Sequence, residues 1–314
     1  MENGSTVTNF ILVALPLSFV SEIICFYLLF FIYLITLAGN SLIIVIIWKS
    51  HNLHIPMYFF IANLSFLEIW YTTTVLPKLL AILSYGKREI SFWGCLMQCY
   101  FYFVLGSVEL LFLAVMSFDR YMAICYPLRY TNFMNPRFCL VLVLGSWVGG
   151  FGGTIMQTIL IIKLPFCNGN HIDHFYCDVE PLLKLACTDI SFIKSINLSL
   201  SSLIVLGSLV CIIVSYSYII TAIHRLASSE RKWKCFSTCA SHLILVFIVY
   251  GSSLFLCMRS VRVSSMNLSQ LSTVLTGVVT PLLNPFIYTL RNKQVKDELK
   301  QLAYSMCIHK ANSL

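Results

Sequence analysis

Charge is what this sequence has least of. Only 11% of its 314 residues are Asp, Glu, Lys or Arg, where a soluble domain carries about 25%. The first 22 residues contain no Lys or Arg, so they lack the basic start of a cleaved secretory signal, and the first apolar run is expected to act as an uncleaved anchor. No glycine-rich stretch ends in Lys-Ser or Lys-Thr, which excludes a phosphate loop. Internal repeats of the kind that build transporters are also missing.

What is present is apolar length: 58% of the chain is hydrophobic. Seven runs of spanning length can be read, approximately Ile23–Trp48, Met57–Pro77, Phe92–Met116, Phe138–Ile162, Ser195–Ile223, Cys235–Met258 and Asn267–Leu290. Little is left between them for a soluble domain. The expected fold is therefore an all-α membrane protein, a seven-transmembrane helix bundle. Its expected parts are an extracellular N-terminal tail (1–22), the bundle (23–290) and a cytoplasmic amphipathic helix and tail (291–314).

Orientation follows from the bases. With the N-terminus outside, the inner segments hold 13 of the 21 Lys and Arg with four acids, and the outer segments eight bases with seven acids. The net charge of +8 is thus a topology signal, not a nucleic-acid footprint. Asn3-Gly-Ser is a glycosylation sequon on the outer tail.

The third run organises the chain. It ends in MSFDRYMAIC, Met116 to Cys125. Stepping back from Arg120 by helical spacing gives Leu113, Glu109, Gly106, Tyr102, Cys99 and Cys95 near one face. That face covers roughly 37 Å, enough to cross a bilayer. Asp119 and Arg120 read either as a solvated pair at a helix end or as an inward arginine held by a partner.

Two acids lie inside the membrane, Glu68 and Glu109. Two carboxylates in one bundle do not both ionise cheaply, so either one keeps its proton or a cation sits between them. With Asn284 they form a candidate polar core for Na⁺ or a proton. No other cofactor is called for, and the pair lacks the nucleophile and base of an intramembrane enzyme. Gly39-Asn40 reads as close packing with an interhelical hydrogen bond, and five glycines between Gly145 and Gly153 as close helix contact. Pro281 and Pro285 should kink the last span beside Asn284. Beyond it, Val295, Leu299 and Leu302 share one face of a basic helix suited to the inner leaflet, with Cys307 a palmitoylation candidate.

The longest outer loop, Lys163 to Lys194, holds Cys167, Cys177 and Cys187, and Cys95 lies at the outer end of span three. Four extracellular cysteines allow three connectivities. His171 and His174 nearby do not complete a closed zinc spacing.

Taken in order, Gly39-Asn40, LHIPMYFF (Leu53 to Phe60), MSFDRYMAIC, Ser215-Tyr216, KCFSTCASH (Lys234 to His242) and PLLNPFIYTLRN (Pro281 to Asn292) resemble a rhodopsin-like G-protein-coupled receptor, and within that class a vertebrate odorant receptor. The likeness runs nearly end to end. It implies bridges Cys95–Cys177 and Cys167–Cys187, and a G-protein switch at Asp119, Arg120, Tyr121, Tyr216 and Tyr288. It also implies a stimulatory olfactory-type G protein as partner, a rise in cyclic AMP, and a place in the plasma membrane of sensory cilia. The chain departs from the family pattern at Glu68, where aspartate is usual, and in reading MSFDRY for the common MAYDRY.

Helical spacing puts Tyr102, Phe103, Gly106 and Ser107 on or beside the inward face of span three. Alignment with the family adds Ser201, Ile204, Val205, Tyr250, Ser253, Leu254, Thr273 and Thr276. None is charged, so the expected ligand is small, neutral, volatile and mostly apolar. An amine would want an acid near Tyr102, and retinal a lysine in span seven. The alternatives are a receptor for a non-odorant small molecule and, further off, a polytopic transporter or channel.

Overall fold

A computed structural model describes residues 7–13, 18–167, 169–226, 228–261, 266–291 and 294–301, with backbone only at 231, 234, 237, 238, 241, 256–261, 266–269 and 288–291. Asn3, Leu302 and Cys307 lie outside the described residues, as does the side chain of Tyr288.

The spans are Phe19–Lys49 (one), Pro56–Tyr85 (two), Phe92–Cys125 (three), Pro136–Ile162 (four), Ser191–His224 (five) and Ser229–Val261 (six). Span seven joins Met266–Val274, a π-helical turn at Leu275–Val279 and Thr280–Arg291. Among the described residues six helices are long and apolar enough to cross a membrane, and span six adds the shorter apolar segment His242–Phe255.

Local chemistry sets the ends. Ser91 caps span three by accepting from the Gly94 amide, 3.1 Å, and Asn135 caps span four from the Phe138 amide, 2.9 Å, with Pro136 in the first turn. Span two starts on Pro56, where a missing N–H costs nothing, and stops at Gly86, whose φ of 64° is the left-handed conformation that ends helices. Within the spans, hydroxyls such as Thr36 and Thr72 return hydrogen bonds to carbonyls one turn back, which satisfies them without water.

Span three is the axis, packed against spans two, four, five and six. Its buried face carries Tyr102, Val104, Leu105, Val108, Phe112 and Leu113. A second apolar cluster lies at the outer end, where Phe10, Leu12, Leu96, Phe166 and Leu182 meet around Cys95 and Cys177.

The stretch expected as an outer N-terminal tail is partly built into the fold. Strands β1 (Asn9–Leu12), β2 (Glu89–Ser91) and β3 (His171–Ile172) form one sheet in the order β2-β1-β3. β1 pairs antiparallel with β2, Phe10 opposite Ile90, and parallel with β3, Ile11 opposite His171. Phe10 and Leu12 alternate inward and are fully buried, so this segment roofs the outer cluster.

At the inner end, helical backbone at 294–301 turns its apolar face onto the bundle. Val295 is buried and Leu299 packs against the main core. The Asn52 amide donates to Glu298, 2.9 Å, and the Tyr58 hydroxyl to Gln294, 2.8 Å. The expected inner-leaflet face is thus, over these residues, a protein-facing one.

Candidate ligand cavity and cytoplasmic switch

The outer half of the bundle holds a partly open cavity of about 140 Å³ between spans two, three, five, six and seven and the long outer loop. Span three supplies Tyr102, Phe103, Gly106 and Ser107 to its wall. The Tyr102 hydroxyl is 3.1 Å from Thr276 Oγ1, on the π-turn of span seven. The Tyr102 ring packs against Tyr176 and Tyr71, with centroids at 4.6 and 5.2 Å.

The loop reaches the cavity because it is bolted there. Cys95 at the top of span three is bridged to Cys177, and Cys167 to Cys187. Gln98 completes the fixing: its Oε1 accepts from the Cys177 amide, 3.1 Å, and its amide donates to the Thr74 carbonyl, 2.9 Å. Residues that follow Cys177 are thereby held over the cavity.

Ser201, Ile204 and Val205 of span five, Ser253 of span six and Thr276 of span seven also line it. Tyr250, Leu254 and Thr273 are not among the lining residues. Tyr250 is buried with its hydroxyl donating to the Leu110 carbonyl, 3.1 Å, Leu254 packs on the core, and Thr273 is buried. The expectation of a charge-free wall does not hold, since Glu109, Asp178 and Glu180 line the cavity together with Tyr71, Tyr176 and Asn197. Asp178 and Tyr176 follow from the Cys95–Cys177 bridge, because they flank Cys177. No periodicity in the loop marks them.

Below the cavity lies the polar core. The Asn284 amide donates to Glu68 Oε1, a contact that the longer side chain of Glu68 reaches across the bundle. Asn40 donates to the Thr36 and Pro281 carbonyls at 3.0 and 3.1 Å, so Asn40 of span one serves the backbone beside the span-seven prolines. Gly39 allows that approach, since a Cβ there would sit 3.1 Å from Pro285. Glu68 Oε2, Asn284 Oδ1 and Asn40 Oδ1 are buried without a hydrogen-bond partner among the described residues. Unpaired buried oxygens are costly, and these oxygens fit a small hard cation or a shared proton.

At the inner end, the Asp119 carboxylate accepts from the Tyr130 hydroxyl, 2.8 Å. Burial first, and then the Asp119 charge, pushes the Tyr130 hydroxyl up from its ordinary range, so it remains a donor. Arg120 is half-buried near Tyr216, Cys239 and His242. His242 joins three spans: Nε2 is 3.1 Å from the Leu113 carbonyl and Nδ1 2.9 Å from the Tyr216 hydroxyl. A carbonyl only accepts, so Nε2 carries the proton and Nδ1 accepts from Tyr216 in the neutral ring. Tyr121 packs on Tyr126 and Tyr218.

Seven spans, a cavity near the outside and a half-buried arginine among hydrogen-bonded side chains near the inside are the layout of a membrane receptor. Residues 29–305 match the family model described as olfactory receptor. Olfactory receptor 6X1 of Homo sapiens is 48% identical over 301 residues, which is 96% of each chain. Olfactory receptor 6T1 of Homo sapiens is 46% identical over 96% of this chain and 93% of its own, and olfactory receptor 287 of Rattus norvegicus 45% identical over 96% of both. The chain belongs to the olfactory receptor family of rhodopsin-like G-protein-coupled receptors.

Proposed function

We propose that this receptor binds a small, neutral, mostly apolar volatile molecule in the outer cavity and activates a stimulatory, olfactory-type G protein, raising cyclic AMP. The observation that supports this reading is the cavity itself. At about 140 Å³ it falls below the roughly 300–1,000 Å³ usual for drug-sized ligands, and rings and hydroxyls make up much of its wall. The ligand prefers one arrangement of spans three, five, six and seven, and shifts the population towards one that opens the inner face around Arg120. Asp119, Arg120, Tyr121, Tyr216 and Tyr288 are the switch in this reading. Glu68, Glu109 and Asn284 hold Na⁺ or a proton that biases the arrangement. The site of action is the plasma membrane of sensory cilia, with a glycan on Asn3.

The test is cyclic AMP in cells expressing the full chain, against volatile neutral odorants and beside Arg120→Ala. A dose-dependent response that the variant loses at unchanged surface level supports the proposal. A response that survives in Arg120→Ala sinks the switch assignment.

A further inference from the structure

Resting on that ligand reading, we infer that Gly153 of span four sets the length of ligand the cavity accepts, by deciding how far Ile204 of span five reaches into it. Gly153 is not among the described lining residues, whereas Ile204 is. Gly153 is therefore a positioning residue, and Ile204 is the gauge through which it acts.

Ile204 reaches both sides. It lines the cavity together with Ser201 and Val205, and its Cδ1 is the atom that a Cβ on Gly153 would meet, at 3.1 Å. Carbon atoms rest comfortably at roughly 3.5–4.0 Å, so the glycine is what lets the isoleucine tip stand back against span four. A larger residue at 153 crowds that tip, and the backbones behind it are held. The Ile204 carbonyl accepts from the Ser208 hydroxyl, 2.5 Å, and the neighbouring Val205 is buried in the main core. Span four is seated too, because a Cβ on Gly150, nearly one turn further in, would already run into the Val108 side chain of span three. In a close-packed interior the movement falls on the group that is free to turn. Here that is the Ile204 side chain, which swings off span four and into the cavity.

The other glycines of span four do not share this role. Gly145 and Gly152 meet nothing within 4 Å, Gly149 faces Leu111, and Gly150 faces Val108 and the Val104 carbonyl. Among the five, Gly153 alone abuts a described residue of the cavity wall. Contact with the far end of a side chain also costs less to relieve than contact with a backbone carbonyl, so a substitution at 153 is tolerated where one at 150 is not. The cavity is small, about 140 Å³, and one methylene more or less in an apolar pocket is worth roughly ten- to two-hundredfold in discrimination. A displaced methyl group in the wall therefore changes which ligand is the longest that fits.

The experiment uses the full-length receptor at verified surface level, read by cyclic AMP. The probes are homologous series of straight-chain alcohols, aldehydes and ketones, each member a methylene longer than the last. Gly153→Ala should lose roughly tenfold or more in potency for the longest member the wild type answers, while shorter members keep theirs. Ile204→Val removes Cδ1 and should gain the next longer member. The double variant has no Cδ1 left to displace, so its profile should match that of Ile204→Val. Gly152→Ala, on the same turn, should keep the wild-type profile. A uniform loss across the series in Gly153→Ala overturns the inference and leaves the ligand reading intact. So does a double variant that differs from Ile204→Val as much as Gly153→Ala differs from the wild type. Should Gly153→Ala fail to reach the surface, the double variant should still reach it, since the crowded atom is gone. Its absence as well would mean that Gly153 abuts something other than Ile204, and would overturn the inference. A surface receptor silent to every neutral probe overturns the ligand reading, and the inference with it.

Discussion

The Tyr216 hydroxyl and His242 Nδ1 stand 2.9 Å apart, and the far nitrogen of the same ring is 3.1 Å from the Leu113 carbonyl. One imidazole therefore ties the inner halves of spans three, five and six beside Arg120. Opening this end to a G protein means parting those spans. His242→Phe keeps the ring and removes both bonds, at about 0.5–1.5 kcal/mol each, which favours the open population by roughly tenfold. Basal cyclic AMP should rise severalfold at equal surface level. Tyr216→Phe removes one bond and should give the smaller rise. Equal basal levels in all three receptors would show that the tie does not hold the switch.

The polar core gives a second prediction. Asn284→Ala takes the donor from Glu68 and leaves a buried carboxyl group unmet, a loss of about 1–3 kcal/mol or more. The purified variant should melt several degrees lower. Replacing sodium with a bulky organic cation should change the basal or ligand-driven signal of the wild-type receptor, and Glu109→Gln should remove that dependence. Insensitivity of both receptors to sodium leaves a proton as the occupant.

How much of this was legible beforehand depends on what held each part in place. The spans were plain, because a bilayer demands long apolar runs and each run was there to count. The inward face of span three, from Cys95 to Arg120, was equally plain from helical period. His242 closes the KCFSTCASH stretch, but its partners belong to other spans and no spacing names them. Glu109 was assigned to the polar core, and its place on the cavity wall as well depends on how spans five and six stand off from span three. Tyr176, Asp178 and Glu180 were missed because a loop has no period. Their position comes from the Cys95–Cys177 bridge and the Gln98 hydrogen bonds. The strand at Asn9–Leu12 was hidden for the same reason, since its partners β2 and β3 are distant in sequence.

The two bridges should differ in what they contribute. Cys95–Cys177 closes a separation of 82 residues and Cys167–Cys187 one of 20. On loop-closure entropy the first constrains the unfolded chain by about 4–5 kcal/mol and the second by about 3. The first also holds the cavity roof. Cys177→Ala should abolish surface expression or ligand response, while Cys187→Ala should leave a measurable surface fraction. The reverse ranking in a surface-labelling assay would count against the cavity roof being held by Cys177.

Span four carries five glycines between Gly145 and Gly153, and they are not alike. A Cβ on Gly150 would run into the Val108 side chain and sit 3.1 Å from the Val104 carbonyl oxygen. That carbonyl belongs to the rigid axis and cannot turn aside, so spans three and four would have to part. Gly152 and Gly145 meet nothing within 4 Å, and alanine there replaces a poor helix former with a good one, at a gain of about 1 kcal/mol in an exposed helix. Gly150→Ala should therefore lower surface expression and melting temperature, with overpacking of about 1–3 kcal/mol, and Gly152→Ala should match or exceed the wild type. Because the Val104–Val108 segment includes the cavity residues Gly106 and Ser107, any Gly150→Ala receptor that reaches the surface should also answer ligand at a higher concentration. Equal behaviour of the two alanine variants would mean that spans three and four do not meet at Gly150.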